Sequence, residues 1–326
     1  MALELSFVTR RRPKFFTMPL KFSIIIATLN RKVLLLQALD SVYSQGSQRF
    51  EIIVVDGGST DGTIQAVQKL PQLTLIEGPD QGLYHAFNKG ALAAKGDIIG
   101  ILNSDDLYEA GTFEAVEQAF VENVDADSVC GNAKLFDGMR TIATYDDESC
   151  KTLTPRVALI GSSILNARFF TRETLRRIGL FNLRYQLVSD RDFLARCYEA
   201  HIKIVAIPEF VYRYRRHTGS LTFSNDAERE RVIHAELLQL ARDWQRSGQA
   251  SNEMKRAALL LEGRCLAKLL KAELQRGDFS TVFRYLTNND RAFALTPTWA
   301  LIVGGADWLL QHGWPLLFRA RSIFRN

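Results

Sequence analysis

The first hundred residues alternate short, almost entirely apolar runs with segments in which apolar residues recur at helical spacing. The apolar runs predict four β-strands, at residues 22–30, 50–56, 73–78 and 97–106. The segments between them predict three helices, at residues 33–45, 64–70 and 82–95. Strands that are apolar on both faces and alternate with helices are typical of a parallel sheet covered by helices on both sides. The pattern therefore predicts an α/β fold in which ligands bind beyond the carboxyl ends of the strands.

The alternation loosens after residue 111. Later apolar runs predict antiparallel strands at 127–136 and 140–146, a strand and then a helix within 162–179, and a strand at 202–217 with a proline at a boundary. From about Asp226 onward the sequence contains long amphipathic helical patterns. These changes predict three parts: a basic N-terminal tail at residues 1–20, an α/β domain at 21–222 and a helical C-terminal region at 223–326.

Composition narrows the class of protein only slightly. The 326 residues are 47% hydrophobic and 24% charged, which is typical of a globular protein. A net charge of +5 favours anionic partners such as phosphates or membrane surfaces. The sequence has no basic motif interleaved with aromatic residues, so we expect no nucleic-acid binding. The four cysteines are widely separated and form no CxxC pair, as in proteins of a reducing compartment.

The N-terminal segment predicts where the protein resides. A secretory signal places basic residues before its apolar run, whereas here the apolar residues precede Arg10, Arg11 and Arg12. We therefore expect a cytoplasmic protein. Whether residues 1–17 form a basic tail or an upstream mis-start is left open by the sequence.

The C-terminal segment, residues 297–326, has two interpretations. Its apolar stretch is interrupted by Asp307, Gln311 and His312, so it falls short of the roughly 20 apolar residues that a spanning helix needs. Its tryptophans and arginines are typical of a peripheral segment at a membrane interface, on the cytoplasmic face of the plasma membrane. The alternative is a helix packed against residues 226–276, and the sequence favours neither.

Polar residues follow the predicted strands at positions that should share one edge of the sheet. They are Thr28, Asn30, Asp56 and the run Asn103, Ser104, Asp105 and Asp106. Adjacent carboxylates repel each other unless they are solvated or hold a cation between them. Oxygen ligands of this kind are preferred by Mg²⁺ and Mn²⁺, which commonly bridge to substrate phosphates. The alternative is that each aspartate caps a following helix, which we favour for Asp61, whereas we favour a metal ligand for Asp105.

Three segments, in this order and spacing, carry a resemblance to a known family. They are "SIIIATLNR" (23–31), "EIIVVDGGSTDGT" (51–63) and "GDIIGILNSDDLY" (96–108). Together they resemble the nucleotide-sugar domain of family 2 glycosyltransferases, over roughly residues 21–222. The resemblance implies a GT-A fold, which is a Rossmann-like, mostly parallel sheet with helices on both faces, followed here by a C-terminal helical extension. It also implies inverting transfer of a sugar from a nucleoside-diphosphate sugar to an acceptor hydroxyl.

The resemblance also implies roles for the residues at the strand ends. It implies that Asp56 contacts the nucleobase, that Thr28 and Asn30 line the same pocket, and that Asp105 is a metal ligand for Mg²⁺ or Mn²⁺. Asn103 and Ser104 precede Asp105 in the donor-binding motif. Two departures matter. Gly57 stands where many members have a second aspartate, and Asn103 replaces the first acidic residue of the motif. We therefore expect metal binding to depend more on the donor diphosphate.

The segment "GPDQGLYHAFNKG" (78–90) matches the family's loop and helix near the donor. On this basis Asp80 and Asn88 are candidate donor ligands, and Lys89 offers a cation. The alternative is an ordinary loop, a helix cap and a solvated lysine.

The general base is predicted further along the chain. Asp190 and Asp192 both lie in "VSDRDFLARCYEA" (188–200), and helical geometry separates them by about 200° around the axis, so only one can face a given cleft. Ser189 with Asp192 resembles a capping box, which leaves Asp190 as the candidate base. The family's acidic base falls at the same position.

Basic residues end the strand "YRYRRHTGS" (212–220). Cations held near a departing diphosphate stabilise the transition state more than the ground state. By resemblance, His217 is the candidate diphosphate or metal contact. Because alternate strand residues point oppositely, at least one of the arginines should lie on a solvated face.

Two other functions remain as alternatives to an inverting, metal-dependent glycosyltransferase. A sugar nucleotidyltransferase usually carries a glycine-rich phosphate loop after its first strand, and "ATLNRKVLLL" has no glycine. A non-catalytic nucleotide- or glycan-binding module would not need Asp190. We expect a donor of the UDP or dTDP type and, from the resemblance, an acceptor that is a surface glycan or its lipid-linked precursor.

Overall fold

The computed structural model describes residues 19–46, 49–146, 152–161, 164–217, 219, 226–278 and 280–281. The chain forms two compact units, residues 1–224 and 225–326. The functional division into a tail, an α/β domain and a helical region remains a prediction. Both the basic tail up to residue 18 and the apolar segment 297–326 lie outside the described residues, and so do the predictions made for them.

The first unit is built on four parallel strands: β1 (Phe22–Thr28), β2 (Phe50–Asp56), β3 (Leu73–Glu77) and β4 (Ile98–Asn103). They lie in the order β3-β2-β1-β4. All seven residues of β1 are buried, as expected for a strand that is covered on both faces. The predicted strands and the α/β fold are confirmed, and each strand ends at or before its predicted boundary.

Helices connect these strands: α1 (Lys32–Tyr43), α2 (Thr63–Val67) and α3 (Leu83–Ala93). A parallel strand pair needs such a crossover, because the chain must return to the starting edge of the sheet. Each of the three helices therefore begins just beyond a strand end, at the edge where the polar residues were predicted to lie.

The remainder of the first unit continues the same sheet with mixed strand directions. The further strands are β5 (Leu107–Tyr108), β6 (Ser128–Phe136), β7 (Thr141–Tyr145), β8 (Arg168–Thr171) and β9 (Ile204–Arg215). The further helices are α4 (Thr112–Glu122), α5 (Pro155–Leu159), α6 (Arg172–Ile178) and α7 (Ser189–Glu199). A 3₁₀ turn, Leu165–Ala167, precedes β8. In the part of the chain that the structure describes, one sheet runs β3-β2-β1-β4-β8-β6-β9-β5, with β7 paired to β6.

The run of four parallel neighbours ends at β4, and β6 and β9 form a separate parallel pair. β8 is antiparallel to both β4 and β6, and β6 and β7 form the predicted antiparallel pair. The predicted proline position was wrong, because Pro208 lies inside β9 and not at its boundary. The register between β6 and β9 shifts at this point, and the Asn132 side chain donates to the Pro208 carbonyl at 2.7 Å. An irregularity of this kind accommodates a residue that has no N–H to donate.

The second unit contains two long helices in its described part, α8 (Ala227–Arg246) and α9 (Asn252–Arg276). Asp226 and Ser251 cap their N-termini, and Gly277, with φ 73°, ends α9 in the left-handed conformation. Glu262 of α9 accepts from Arg242 of α8 at 2.9 Å. This unit confirms the predicted C-terminal helices. Among the described helices, none has the length and apolar character required to cross a membrane.

Candidate active site

The strand register brings the predicted polar residues to one edge of the sheet. Thr28 lies opposite Asp56, and Asn103 lies opposite Ala27, the neighbour of Thr28. The three strands β1, β2 and β4 therefore end together, so their terminal side chains and following loops surround a common region.

Asp56 is fully buried at the end of β2. Its Oδ1 accepts hydrogen bonds from the backbone N–H groups of Gly58 at 2.9 Å and Ser59 at 2.6 Å. Its Oδ2 and the hydroxyl of neighbouring Thr28 are both buried, and neither has a partner among the described residues. A buried polar atom without a partner costs about 1–3 kcal/mol. A ligand bound at these adjacent strand ends could supply the hydrogen bonds that the two atoms lack.

Asn30 fixes the loop after β1 to the loop after β2. Its side-chain oxygen accepts from the Thr60 N–H at 2.8 Å, and its own N–H donates to Ser59 Oγ at 2.8 Å. Its φ of 52° is in the left-handed region, which asparagine tolerates better than most residues. Asn30 thus shapes the turn from which Arg31 and α1 begin.

Gly57 leaves room for a carboxylate from another loop. A Cβ atom at position 57 would lie 2.8 Å from Asp80 Oδ2. Asp80 itself accepts from the Gly82 N–H at 2.9 Å, just before α3. Position 57 itself carries no carboxylate. The Asp80 side chain instead places a carboxylate beside the Gly57 backbone.

Asp105 meets two basic side chains through a single oxygen. His217 Nε2 lies 2.9 Å from Asp105 Oδ2, and Arg31 Nη1 contacts the same oxygen. Gly219 donates its N–H to His217 Nδ1 at 3.1 Å. Arg31 also donates from Nη2 to the Gly219 carbonyl at 3.2 Å. Segments that are far apart in the sequence therefore converge on this carboxylate.

Asp106, beside Asp105, has a different environment. It is fully buried, and Oδ2 accepts from the Tyr212 hydroxyl at 2.6 Å and from Asn103 Nδ2 at 2.9 Å. Its Oδ1 accepts from the Arg215 N–H at 2.7 Å. Burial, followed by the charge of Asp105, raises the pKa of Asp106 to about 7. Asp106 therefore anchors the loop after β4 to β9, and Asp105 is the carboxylate left to face the cleft.

The motif residues before Asp105 are held by internal contacts. Asn103 uses its amide N–H on Asp106, and its oxygen accepts from Asn166 at 3.4 Å. Ser104 is buried at 4% exposure. These contacts show how asparagine substitutes for the first acidic residue of the motif: it stabilises the turn by donating a hydrogen bond that a carboxylate could not donate.

The arginines of β9 have separate roles. Arg215 Nε donates to the Asp105 backbone carbonyl at 2.8 Å, so its guanidinium lies next to the candidate site. Arg213 is 3.8 Å from Glu109, in an ion pair away from Asp105. Both guanidinium groups also lie against the Phe136 ring, at 4.4 Å for Arg213 and 4.7 Å for Arg215. Arg215 is thus the arginine of β9 that the structure brings to Asp105.

Asp190 lies in the first turn of α7, where its Oδ1 accepts from the Tyr84 hydroxyl at 3.0 Å. Asp192 is buried and accepts from Arg196 at 2.9 Å, one turn along the helix. The predicted capping box was wrong: α7 begins at Ser189, whose hydroxyl donates to the Asn182 carbonyl at 2.9 Å. The two aspartates differ in exposure, since Asp192 is buried and Asp190 is half-buried, and the choice of Asp190 as the base remains a prediction.

Asn88 has both polar atoms of its side chain occupied. Its Nδ2 donates to the Phe181 carbonyl at 2.9 Å, and its Oδ1 accepts from the Phe181 N–H at 2.8 Å. Lys89 donates to the Pro79 carbonyl at 2.8 Å. Because both polar atoms of the Asn88 side chain already form hydrogen bonds with the backbone, we do not include Asn88 among the residues proposed to bind a donor.

Sequence reasoning missed Arg31 and Tyr84. Arg31 lies 74 residues from Asp105, and Tyr84 lies 106 residues from Asp190. In the sequence, Arg31 is only the last residue of "SIIIATLNR", and Tyr84 is only an aromatic residue of a predicted helix. Neither position has a local spacing that signals a partner so distant.

A divalent metal fits this site only in part. Among the described residues, no group of three or more His, Cys, Asp or Glu side chains could hold a metal ion. Asp105 and His217 could supply two ligands. Mg²⁺ in proteins is often bound by one or two carboxylates together with substrate phosphates, so two protein ligands fit an ion that the substrate helps to hold.

Comparison with known proteins identifies the family. The family model described as "Glycosyl transferase family 2" matches residues 23–185. The PGL/p-HBAD biosynthesis glycosyltransferase of Mycobacterium bovis is 32% identical over 204 residues, which cover 58% of this chain and 77% of that protein. Glycosyltransferase GlyG of Streptococcus pneumoniae is 29% identical over 217 residues, which cover 61% of this chain and 72% of GlyG.

Solved structures show the same fold. Residues 1–349 of S. aureus TarS align with a TM-score of 0.55 and 19% identity, covering 84% of this chain and 74% of that one. Mannosyltransferase PcManGT from Pyrobaculum calidifontis, solved with GDP-Man and Mn²⁺, aligns with a TM-score of 0.56 and 22% identity, covering 90% and 81%. The predicted fold is thereby confirmed, and the chain belongs to glycosyl transferase family 2.

Proposed function

We propose that this glycosyltransferase moves a sugar from a nucleoside-diphosphate sugar to an acceptor hydroxyl, with inversion at the anomeric carbon. The observation that carries the proposal is the pair of buried, unpartnered polar atoms at the ends of β1 and β2, on Thr28 and Asp56. A nucleobase would supply the hydrogen bonds that these atoms lack. TarS, solved with UDP-GlcNAc, and PcManGT, solved with GDP-Man, support a donor of this general class.

The nucleotide is proposed to be of the UDP or dTDP type. Only one oxygen of the Asp56 carboxylate is left to accept, because the other already accepts two backbone N–H groups. A uracil or thymine ring offers one N–H between two carbonyl oxygens, so Asp56 Oδ2 can accept from that N–H while the Thr28 hydroxyl donates to a carbonyl. Guanine would present two N–H groups side by side and would need a second acceptor.

The diphosphate is proposed to lie between Asp105, His217 and Arg215. Asp105 and His217 would hold Mg²⁺ or Mn²⁺, which when bound neutralises charge on the leaving diphosphate. Arg215 is held beside Asp105 and can stabilise the same charge. Ser104 and Asn103 fix the turn on which Asp105 lies. Asp80, beside Gly57, is proposed to contact the nucleoside part of the donor.

Asp190 is proposed to be the general base. The Tyr84 hydroxyl donates to its Oδ1 at 3.0 Å, which orients the carboxylate and leaves Oδ2 to accept the proton of the acceptor hydroxyl. Arg191, next along the helix, donates instead to the Gly161 carbonyl at 3.0 Å. For the acceptor we propose a glycan or lipid-linked glycan, since the mycobacterial relatives are named for PGL/p-HBAD biosynthesis. Peripheral membrane contact through residues 297–326 and a cytoplasmic location remain predictions.

The test is donor hydrolysis and transfer across a panel of UDP-, dTDP- and GDP-sugars with Mn²⁺ or Mg²⁺, comparing the wild type with Asp56→Asn. Asparagine can still accept from Gly58 and Ser59, but it presents an N–H₂ group where Oδ2 was. We expect it to weaken binding of the preferred donor by about tenfold or more, as for loss of a hydrogen bond to a charged group.

Asp61→Asn is the matched control. Asp61 belongs to the same loop and accepts from Lys32 and Thr63, so its substitution should leave donor affinity within about twofold of the wild type. Equal donor affinity in the wild type and Asp56→Asn would refute the nucleobase assignment. Retention of the anomeric configuration in the product, measured by NMR, would refute the inverting mechanism.

A further inference from the structure

Arg31 contacts the carboxylate that is proposed to hold the metal ion. Its Nη1 contacts Asp105 Oδ2, and its Nη2 donates to the Gly219 carbonyl at 3.2 Å. An oxygen of a carboxylate has two lone pairs, and Oδ2 already contacts both Arg31 and His217 Nε2. The two oxygens belong to one carboxylate, so a cation on either of them would lie next to the guanidinium and be repelled by it.

The backbone around Arg31 is fixed, so this contact depends on the side chain alone. Arg31 immediately precedes α1, and the turn before it is held by Asn30 through Thr60 and Ser59. The side chain is 25% exposed and Asp105 14% exposed, so the pair lies at the rim of the cleft. A guanidinium on a long side chain at such a rim can change partner without a change in the fold.

We infer that Arg31 is a diphosphate-binding residue that shields Asp105 until the donor arrives. In the donor-free protein the Arg31 guanidinium neutralises Asp105. A diphosphate entering the cleft offers Arg31 an alternative anion with several acceptor oxygens, and Arg31 moves to it. Asp105 is then available to a metal ion that the same diphosphate helps to hold. The metal therefore binds together with the donor and only weakly before it.

This inference rests on the proposed function, because it takes Asp105 as the metal ligand. It adds a residue that contacts the diphosphate and an order of binding. The inference also agrees with the small number of protein ligands at the site. Within the described residues, no group of three or more His, Cys, Asp or Glu side chains could hold the ion without the diphosphate.

The test is a titration of the full chain with Mn²⁺. Binding is measured as the loss of the free Mn²⁺ signal in electron paramagnetic resonance, first without nucleotide and then with UDP, dTDP or GDP. Arg31→Ala should bind Mn²⁺ about tenfold more tightly than the wild type in the absence of nucleotide, because a charge-assisted contact no longer competes. Arg31→Lys keeps the charge and should behave like the wild type. With the preferred nucleotide, the wild type should gain Mn²⁺ affinity, and Arg31→Ala should bind that nucleotide about tenfold more weakly.

Two control variants separate this inference from the proposed function. Lys32→Ala removes a cation from the next position, which lies by Gly62 and not by Asp105, and it should match the wild type in every titration. Asp105→Asn should lose the nucleotide-dependent Mn²⁺ binding.

If Arg31→Ala and the wild type bind Mn²⁺ equally without nucleotide, the inference is wrong, whereas Asp105-dependent binding with nucleotide would leave the proposed function standing. If Asp105→Asn binds Mn²⁺ as the wild type does with nucleotide, both the metal assignment and the inference are overturned.

Discussion

Replacement of Asn88 should destabilise the protein without affecting donor binding. The sequence alone made Asn88 a candidate donor ligand, but in the structure its amide forms two hydrogen bonds with the Phe181 backbone, at 2.9 Å and 2.8 Å. Asn88 is only 6% exposed. Asn88→Ala therefore leaves a buried N–H and a buried carbonyl without these partners.

The size of the effect follows from the two lost contacts. Each buried backbone group left unpaired costs about 1–3 kcal/mol, and partial relaxation or an entering water lowers the sum, so we expect a loss of about 3 kcal/mol in the free energy of unfolding. For a domain of roughly 200 residues this lowers Tm by about 6–12 °C. Asn88→Asp should cost at least as much, because a carboxylate oxygen would face the Phe181 carbonyl and could not donate to it.

The measurement is urea or thermal unfolding followed by circular dichroism, together with KM for the donor. Leu92→Ala on the same helix is the control, since Leu92 is 75% exposed and its replacement should change the free energy of unfolding by no more than about 0.5 kcal/mol. KM for the donor should stay within about twofold of the wild type in Asn88→Ala. Wild-type stability combined with a tenfold higher donor KM would refute the structural role and restore Asn88 as a ligand.

Further predictions concern the proposed base, the proposed metal ligand and two glycines. Asp190→Asn should lower kcat by about a hundredfold or more at unchanged donor affinity, whereas Asp192→Asn should mainly cost about 1–3 kcal/mol in unfolding measurements; the reverse pattern would mean that the base is misassigned. Asp105→Asn should abolish transfer and keep the wild-type circular dichroism spectrum, and wild-type activity that survives a chelator would contradict a metal role. Gly100→Ala should lower the free energy of unfolding by about 1–3 kcal/mol, because its Cβ would lie 2.7 Å from the Tyr108 hydroxyl and 2.9 Å from Phe169. Gly263→Ala lies inside α9, where no atom of another described element is within 4 Å of the new Cβ, so it should instead raise the free energy of unfolding by about 0.5–1 kcal/mol. Equal effects at both glycines would contradict the packing argument.

The parallel half of the fold could be predicted because its signals are local. The run "FSIIIATLN" is apolar at six of its nine positions, as expected for a strand covered on both faces, and β1 occupies its first seven residues. The edge at which Thr28 and Asp56 meet then follows from the rule that parallel strands end on one side. The mixed half was harder to predict, since Pro208 in β9 depends on a register shift against β6 that no neighbouring residue signals.

The contacts within the candidate site could not be predicted, because each depends on a partner far along the chain. Tyr84 is an ordinary aromatic residue of an amphipathic helix until α3 and α7 place it 3.0 Å from Asp190. Asn88 matched a family position, yet its amide is used on Phe181, 93 residues away. Residue type and spacing indicated where the site would be, but only the tertiary structure separates side chains that face the cleft from those that hold its walls.

The adjacent carboxylates of Asp105 and Asp106 show this separation most directly. Two neighbouring anions at a strand end predicted either full solvation or a cation held between them. In the structure each is stabilised separately: Asp106 by hydrogen bonds from Tyr212, Asn103 and the Arg215 backbone, and Asp105 by basic side chains. Burial of the first carboxylate fixes the backbone from which the second extends. A metal ion therefore need not bridge the pair, and we propose that Asp105, which contacts Arg31, is the carboxylate that receives the ion together with a diphosphate.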